Sequence, residues 1–149
     1  MKLRIVNKSG NELPEYKTPQ SSGMDLRAFL PDGPVTLQTL ERKIIPTGLY
    51  MEIEPGFEGQ IRPRSGCAMK QGLTVINAPG TIDSDYRGEI GVPIVNLSAI
   101  PQTIDNGERI AQIVFAKYEK VEEMIEVGAV EYLTDTERGV GGFGHTGKK

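Results

Sequence analysis

Glycine and proline are spread along this chain, which favours many short strands and turns over long helices. The 149 residues include 18 glycines and 10 prolines, and the apolar runs between them are short. Short apolar runs separated by turn residues are typical of strands that alternate with turns. The chain is also long enough to bury a substantial core. We therefore expect one all-β domain, a jelly-roll-like sandwich or barrel with one short helix.

The expected strands are short segments in which apolar residues alternate or cluster between turn signals. One of them, residues 108–118, also fits a helical stripe, but its β-branched residues and the turn signal before it favour a strand. The polar segment 7–21 is expected to be an ordered loop. The expected strands are residues 2–6, 22–28, 35–40, 43–46, 49–53, 73–76, 90–94, 108–118 and 129–133.

The one short helix is expected over residues 65–71. Ser65 is a favourable N-cap and Gly72 a favourable stop. The first turn of such a helix offers free N–H groups to an anion, and Gly66 would let the anion approach closely. With the cation of Arg64 beside it, the segment suits a phosphate group. An ordinary capped turn with a surface arginine explains the same residues.

A second polar stretch, Asn77–Gly91, lies between two apolar runs and is expected to form a hairpin. It carries two carboxylates, Asp83 and Asp85, together with the cation of Arg87. A carboxylate held on a rigid hairpin is a candidate general base for a water molecule, and Asp83 is our candidate. The alternative is a solvated hairpin with a local ion pair.

Polar side chains also occur inside the expected strands. Asp25 and Arg27 share one face of their segment, and Met24, Leu26 and Ala28 share the other. Gln112 is a polar residue within the expected strand 108–118, and it either bonds to neighbouring backbone or lines a site.

Charge and cysteine content limit the classes of partner and compartment. The net charge is −3, and the only basic run is Lys148–Lys149, so a nucleic-acid polymer is not expected as a partner. The N-terminus lacks the apolar run of a signal peptide, and no segment is long enough to span a membrane. Cys67 is the single cysteine and is expected to be a small buried side chain. We expect a soluble, intracellular, cytoplasmic protein.

The C-terminal residues 134–149 are rich in glycine and are expected to form a flexible arm beside a catalytic domain of residues 1–133. Alone, such a segment would be a disordered tail. Arg138, Phe143 and the glycine backbone could instead clamp a phosphate and stack on a base, so that the arm acts as a lid. Phe143 would then be the closing aromatic group.

Taken together, the polar segments resemble the five ordered motifs of the trimeric deoxyuridine triphosphate nucleotidohydrolases, the dUTPases. The resemblance spans most of the chain, and five motifs in order are far more specific than any one of them. Ser22 replaces the alanine that is common at its position, but no catalytic group is missing. The motifs are residues 22–28, 63–66, 77–90, 107–115 and 138–147.

The resemblance implies a β jelly roll assembled as a homotrimer, with each site built from several chains and the arm closing over a neighbour's site. It also implies hydrolysis of dUTP to dUMP and pyrophosphate with Mg²⁺. That reaction removes dUTP from the nucleotide pool and supplies dUMP for thymidylate synthesis.

The resemblance further implies roles for individual residues. Asp83 would activate the attacking water, and Asp25 would reach Mg²⁺ through a water molecule. Tyr86 would pack beneath deoxyribose, and Phe143 would stack on uracil. The phosphate contacts would come from Arg64, Ser65, Gly66, Gln112 and Arg138, and the contacts to the base from the hairpin that includes Asn77, Thr81, Ile82 and Gly91.

Two rival functions use similar features. A dCTP deaminase, or a bifunctional relative, would resemble this fold and phosphate site. A non-hydrolysing nucleotide sensor would be expected to lack either the base at Asp83 or the closing arm, and this sequence has both. A structural trimer without a ligand explains neither the segment Arg64–Gly66 nor the arm.

Overall fold

The computed structural model describes residues 1–142. The chain divides into two compact units, residues 1–119 and the residues from 120 onward. The division between a catalytic domain ending at residue 133 and an arm beginning at residue 134 stays a prediction.

The regular secondary structure of the first unit consists of ten β-strands and one helix of seven residues. This confirms the expected fold class. The elements are β1 (Leu3–Asn7), β2 (Met24–Arg27), β3 (Val35–Leu37), β4 (Arg42–Ile53), β5 (Phe57–Pro63), α1 (Ser65–Gln71), β6 (Leu73–Val75), β7 (Gly80–Ile82), β8 (Glu89–Asn96), β9 (Gln102–Ile104) and β10 (Arg109–Lys117).

Two four-stranded antiparallel sheets form the body of this unit. Their strand orders are β1-β4-β8-β6 and β2-β10-β5-β7, and β3 pairs with β9 as a separate ribbon. Both sheets contribute to a single apolar core, for example Ile45 and Ile94 from the first sheet and Leu26 and Ile113 from the second. The result is a jelly-roll-like sandwich.

The alternation predicted around Asp25 is confirmed. Met24, Leu26 and Ala28 are buried, whereas Asp25 and Arg27 are only half-buried. Since successive side chains of a strand point to opposite faces, burying one set leaves Asp25 on the face away from the core.

Two expected strands, 43–46 and 49–53, are one continuous strand, β4. The pairing of β4 with β8 shifts register between Pro46 and Tyr50, and such a bulge bends a strand without ending it. Pro46 was interpreted as an end of the strand, but a proline at an irregularity in the pairing is tolerated because no ladder hydrogen bond is needed there.

The polar stretch Asn77–Gly91 is not one simple hairpin. Its flanking strands β6 and β8 do pair antiparallel, with Val75 opposite Ile94. Between them, however, β7 leaves this sheet and pairs with β5 in the other one, with Thr81 opposite Gln60. The stretch therefore links the two sheets.

Buried polar side chains in this unit are bonded to backbone. The amide of Asn96 donates to the carbonyl oxygens of Leu37 and Ile100, at 3.0 and 2.9 Å. The hydroxyl of Thr47 donates to the carbonyl oxygen of Ile90 at 2.6 Å. These hydrogen bonds offset the cost of removing the polar groups from water and fix the loop positions in the core.

In the second unit, the expected strand 129–133 is wrong. Val130–Tyr132 forms a single 3-10 turn, with hydrogen bonds from Tyr132 N to Ala129 O and from Leu133 N to Val130 O. A short apolar run becomes a strand only if it pairs with another strand, and the sequence pattern does not show whether such a partner is available. Within residues 1–142, no helix is long and apolar enough to cross a membrane.

Candidate active site

Three of the predicted motifs meet on one sheet. On β10, Gln112 lies opposite Asp25 of β2 and, on its other side, opposite Arg62 of β5. Two residues beyond Arg62, the chain leaves the sheet at Arg64 and enters α1. The pairing of these three strands thus gathers Asp25, Arg64 and Gln112 from distant parts of the chain.

Asp25 is the centre of a cluster of charges. Arg64 donates to its carboxylate through Nε at 2.7 Å and through Nη2 at 3.4 Å, and Nη1 of Arg109 lies 3.3 Å from Oδ2. Nη1 of Arg64 also donates to the carbonyl oxygen of Arg109 at 3.1 Å. The two guanidinium groups hold the carboxylate from two sides and are themselves fixed by it.

The environment of Arg64 keeps its guanidinium charged. Partial burial opposes the charge, but the hydrogen bond and the negative charge of Asp25 outweigh that effect and raise the pKa of Arg64 above its ordinary value. The side chains of Asp25 and Arg64 are 22% and 25% exposed, so the pair is shielded from water yet open at one side. A fixed, charged guanidinium of this kind suits a phosphate oxygen.

Helix α1 begins at the predicted position, but its cap differs from the prediction. The N-cap is Arg64, with no capping side chain, and Ser65 is the first helical residue. The Ser65 hydroxyl is therefore not needed by the helix. The helix ends at Gly72, which has φ of 68° in the left-handed region, as predicted.

A cleft of about 450 Å³ opens beside this helix, lined by Arg64, Gly66, Lys70 and Arg109 among others. A side chain at position 66 would meet nothing within 4 Å, so the backbone there is open to a ligand. Cys67 is buried, as expected, and its thiol donates to the carbonyl oxygen of Arg109 at 3.3 Å.

Gln112 is positioned by a glycine that sequence reasoning did not single out. Its Nε2 donates to the carbonyl oxygen of Pro63 at 3.0 Å, which is the backbone bond that we considered for it. A Cβ at Gly23 would lie only 2.3 Å from Oε1 of Gln112. Gly23 therefore provides the space that the amide occupies. The sequence signal that could have identified Gly23 is its position two residues before Asp25.

Arg109 braces Asp25 through an ion pair. The pairing of β10 with β2 shifts register between Arg109 and Ala111. A bulge of this kind turns a side chain away from its regular direction. It explains how Arg109, on a neighbouring strand, reaches the carboxylate.

The predicted base, Asp83, lies on the turn that follows β7. It is exposed, and its carbonyl oxygen accepts a hydrogen bond from the backbone N–H of Tyr86 at 3.1 Å. The local ion pair considered for this turn is not present among residues 1–142: Arg87 instead donates to the carbonyl oxygens of Ser84 and Tyr86, at 2.7 and 2.9 Å. The carboxylate of Asp83 faces outward.

The predicted base-binding residues surround the same turn. Asn77 and Thr81 are exposed, and Ile82 is half-buried against the core. Gly91 lies within β8, where a Cβ would be 2.7 Å from Cγ2 of Ile44. Tyr86 is 43% exposed. The surface around this turn therefore exposes backbone groups and the aromatic ring of Tyr86.

One chain does not bring Asp83 to the charge cluster. Ile82 pairs with Gly59 near the start of β5, whereas Arg64 follows its other end, about 16 Å away at ~3.3 Å per residue. Because β7 runs antiparallel to β5, the chain after Ile82 leads farther from Arg64. The Arg64 guanidinium points toward β2, which lies on the side of β5 opposite to β7. The charge cluster around Asp25 and the candidate base thus lie on separate surfaces of the chain.

Two predicted contacts belong to the C-terminal residues. Arg138 lies in the second unit, where its Nε donates to the carbonyl oxygen of Gly141 at 2.8 Å. Phe143 lies outside the described residues. The expected roles of both residues stay predictions.

A second hollow of the first unit lies elsewhere. It has a volume of about 540 Å³ and lies along β1 and β4, where its lining includes Arg4, Lys8 and Tyr50. The motif residues predicted to bind substrate are absent from its lining.

Comparisons with known proteins agree with the motifs. The family model described as dUTPase matches residues 10–147. The deoxyuridine 5'-triphosphate nucleotidohydrolase of Finegoldia magna is 56% identical over 147 residues, which are 99% of both chains. That of Cytophaga hutchinsonii is 55% identical, over 98% of this chain and 92% of the relative.

A solved structure gives the same result for the fold. The dUTPase of Staphylococcus bacteriophage 80alpha with dUPNHPP matches with a TM-score of 0.85 and 26% identity, over 98% of each chain. Both the sequence and the fold match over nearly the full length. The chain belongs to the dUTPase family.

Proposed function

We propose that this protein hydrolyses dUTP to dUMP and pyrophosphate. The observation that carries the proposal is the cluster in which β2, β10 and the start of α1 converge. There, a fixed Arg64 guanidinium and the Gln112 amide adjoin an open helix start. This is the kind of surface that holds a phosphate chain, and it occurs in a chain that is 56% identical to a named deoxyuridine triphosphate nucleotidohydrolase.

In this proposal the phosphate chain lies against the cluster. Arg64 supplies positive charge, and the N–H groups at Ser65 and Gly66 approach the oxygens without an obstructing side chain at Gly66. Gln112 adds an amide donor. Arg138, from the arm, contributes a further cation over the far end of the chain. Such contacts neutralise the charge that moves onto the leaving pyrophosphate.

Mg²⁺ fits this site through water rather than through a protein cage. Residues 1–142 contain no group of three or more His, Cys, Asp or Glu side chains that could hold a metal, and the cluster offers one carboxylate, Asp25. Mg²⁺ usually keeps several waters and binds one or two carboxylates plus substrate phosphates. Oδ2 of Asp25 accepts from both guanidinium groups, whereas Oδ1 accepts from Arg64 alone and retains a lone pair for a metal-bound water. When bound with the triphosphate, Mg²⁺ supplies charge neutralisation.

The proposed chemical step uses Asp83 as general base. Its carboxylate takes a proton from a water molecule, whose oxygen forms a bond to the α-phosphorus. The bond from that phosphorus to the bridging oxygen breaks in line, and pyrophosphate leaves with the electron pair. Exposure of Asp83 on a turn that is fixed by the Tyr86 N–H suits this role, because the carboxylate can reach a ligand that binds from outside.

Selection of the base and sugar is assigned to the stretch from Asn77 to Gly91. Backbone groups near Thr81 and Ile82 pair with the edge of uracil, and Phe143 stacks on its face when the arm closes. Cytosine would reverse one hydrogen-bond direction and leave buried groups unpaired, and the methyl group of thymine would overlap the pocket wall. Tyr86 lies beneath the sugar and leaves no space for a 2′-hydroxyl.

The distance between the two surfaces supports a site shared between chains. Asp83 and the Arg64 guanidinium lie too far apart within one protomer for the triphosphate of one nucleotide to contact both. In a homotrimer, the turn of one chain can face the phosphate cluster of the next, while a third chain supplies the arm. This arrangement makes the oligomer a condition for activity.

The proposal is tested by measuring pyrophosphate and ammonia release from dUTP, dCTP, dTTP and UTP, with Mg²⁺ and with a chelator. We expect pyrophosphate from dUTP alone, and only with Mg²⁺. Ammonia from dCTP would move the assignment to the deaminases. Binding of dUTP with no product from any of the four nucleotides would identify a sensor.

A further inference from the structure

The ring of Tyr86 rests on Gly88, two residues later in the chain. A Cβ added at Gly88 would lie 2.3 Å from the Tyr86 hydroxyl oxygen, 2.5 Å from Cζ and 2.9 Å from Cε2. Non-bonded carbon atoms pack at about 3.5–4.0 Å. The ring and a side chain at position 88 therefore cannot occupy their positions together.

Gly88 is not required by its backbone conformation. The glycines with positive φ in residues 1–142 are those at 10, 33, 48, 56, 72, 107 and 139, and Gly88 is not among them. An alanine could adopt the backbone of Gly88 without strain. What demands a glycine at this position is the space taken by the Tyr86 ring.

The ring is held by a second contact, with the first residue of β8. The Tyr86 hydroxyl donates to the carbonyl oxygen of Glu89 at 3.0 Å. Glu89 is fixed in turn. It pairs with Tyr50 of the neighbouring strand β4, and its carboxylate accepts a hydrogen bond from the N–H of Gly48 at 2.7 Å. Gly88 and Glu89 therefore both contact the hydroxyl end of the ring and together define its position.

We propose that Gly88 is a positioning residue for sugar selection, because the absence of its side chain sets where the Tyr86 ring lies under the sugar. This inference rests on the proposed function, in which Tyr86 closes the space for a 2′-hydroxyl. A hydroxyl is excluded by overlap only while the ring keeps its position to within a few tenths of an ångström. Moving the ring outward opens that space without removing any group from the site.

The test is Gly88→Ala, with kcat/KM measured for dUTP and UTP in the presence of Mg²⁺. The added methyl group pushes the ring off Glu89, so we expect the preference for dUTP over UTP to fall by about tenfold or more. Tyr86→Phe keeps the ring and removes its anchor, and we expect a smaller fall. Gly128→Ala is the matched control, because its nearest neighbour, in Tyr132, would be 3.9 Å away.

A double-mutant cycle separates positioning from a general structural effect. In a Tyr86→Ala background there is no ring to displace, so adding Gly88→Ala should leave the dUTP-to-UTP preference unchanged. The double variant also removes the clash and folds even if the single variant does not. A further loss of preference in that background would overturn the inference.

Failure of the inference differs from failure of the proposed function. If the wild-type protein releases no pyrophosphate from dUTP, the proposed function is wrong. If the wild-type protein prefers dUTP and Gly88→Ala prefers it equally, Gly88 does not position the ring and the inference is wrong. A tenfold loss that is confined to backgrounds with the Tyr86 ring supports it.

Discussion

Asp83 is the side chain on which the proposed chemistry depends. Its carboxylate is exposed on the turn after β7 and makes no ion pair in residues 1–142. A group without a structural task can be neutralised with little effect on the fold. Changes at Asp83 therefore report on chemistry rather than on stability.

We expect Asp83→Asn to retain nucleotide binding and to lower turnover by about 10²–10⁴-fold, because an amide has the shape of a carboxylate but cannot accept the proton. Turnover is measured by pyrophosphate release and binding by calorimetry with a non-hydrolysable dUTP analogue. Asp32→Asn, in an exposed turn, is the control. Wild-type turnover in the Asp83 variant would exclude it as the base.

Asp25 combines a structural and a proposed functional role, and Asp25→Asn addresses both. Losing the charge weakens its bonds to Arg64 and Arg109, so we expect the free energy of unfolding to fall by about 1–2 kcal/mol. We also expect the Mg²⁺ concentration for half-maximal activity to rise.

Urea unfolding and a Mg²⁺ titration of activity measure the two effects of Asp25→Asn separately. The control is Glu52→Gln, which breaks an ion pair with Arg4 on the surface and should change stability little. A loss of stability with an unchanged Mg²⁺ requirement would show that Asp25 only braces the two arginines.

Helix α1 keeps the open backbone of Gly66 in place, and its end depends on Gly72. The Gly72 residue has φ of 68°, and a Cβ there would lie 2.8 Å from Cβ and 2.9 Å from the backbone N of Ser98. Backbone atoms cannot move aside as a flexible side chain can. The end of the helix is thus defined by both conformation and space.

Gly72→Ala should therefore destabilise the protein by more than strain alone. Gly56→Ala is a matched control, because Gly56 has φ of 89° and no atom within 4 Å of the added Cβ. We expect Gly56→Ala to cost about 1–2 kcal/mol and Gly72→Ala to cost about 1–3 kcal/mol more, from overpacking. Urea unfolding measures both, and equal losses would contradict the role of Ser98.

The arm is the second element whose role is open to test. The core cluster lies wholly within the first unit, so deletion of residues 138–149 should leave the unfolding midpoint nearly unchanged. Activity should fall strongly, since Arg138 and Phe143 would be lost. Circular dichroism and pyrophosphate release provide the two readouts. A truncated chain that fails to fold would make the arm structural.

In the proposed homotrimer, surfaces that are separate in one chain would combine with those of neighbouring chains to form a site. We expect light scattering to give three times the mass of a single chain. Asp83→Asn and Arg64→Ala should each be inactive alone. In mixed trimers a site can draw Asp83 from one variant and Arg64 from the other, so we expect co-expression in equal amounts to restore about a quarter of wild-type activity.

The mixed-trimer experiment has a clear contrary result. If each site used Asp83 and Arg64 of the same chain, no mixture could combine the intact residues, and activity would stay at the level of the single variants. Co-expression of Asp83→Asn with the double variant Asp83→Asn/Arg64→Ala is the control and should remain inactive, because no chain in it supplies the base.

Local pattern was sufficient to predict several parts of this protein. The alternation of Met24, Leu26 and Ala28 gave a strand and its buried face, and Gly72 gave the end of α1. The five motifs gave the family. Each of these depends on residues near one another in the chain or on their order, and both can be read directly from the sequence.

Contacts between distant residues required the folded chain. Asp25 and Arg109 are 84 positions apart, and the space at Gly23 is filled by Gln112 from another strand. Strand β7 joins the second sheet because β5 is its pairing partner. Residues 129–133 form no strand because no strand within residues 1–142 pairs with them. Pairing and packing depend on three-dimensional neighbours, which local propensity does not specify.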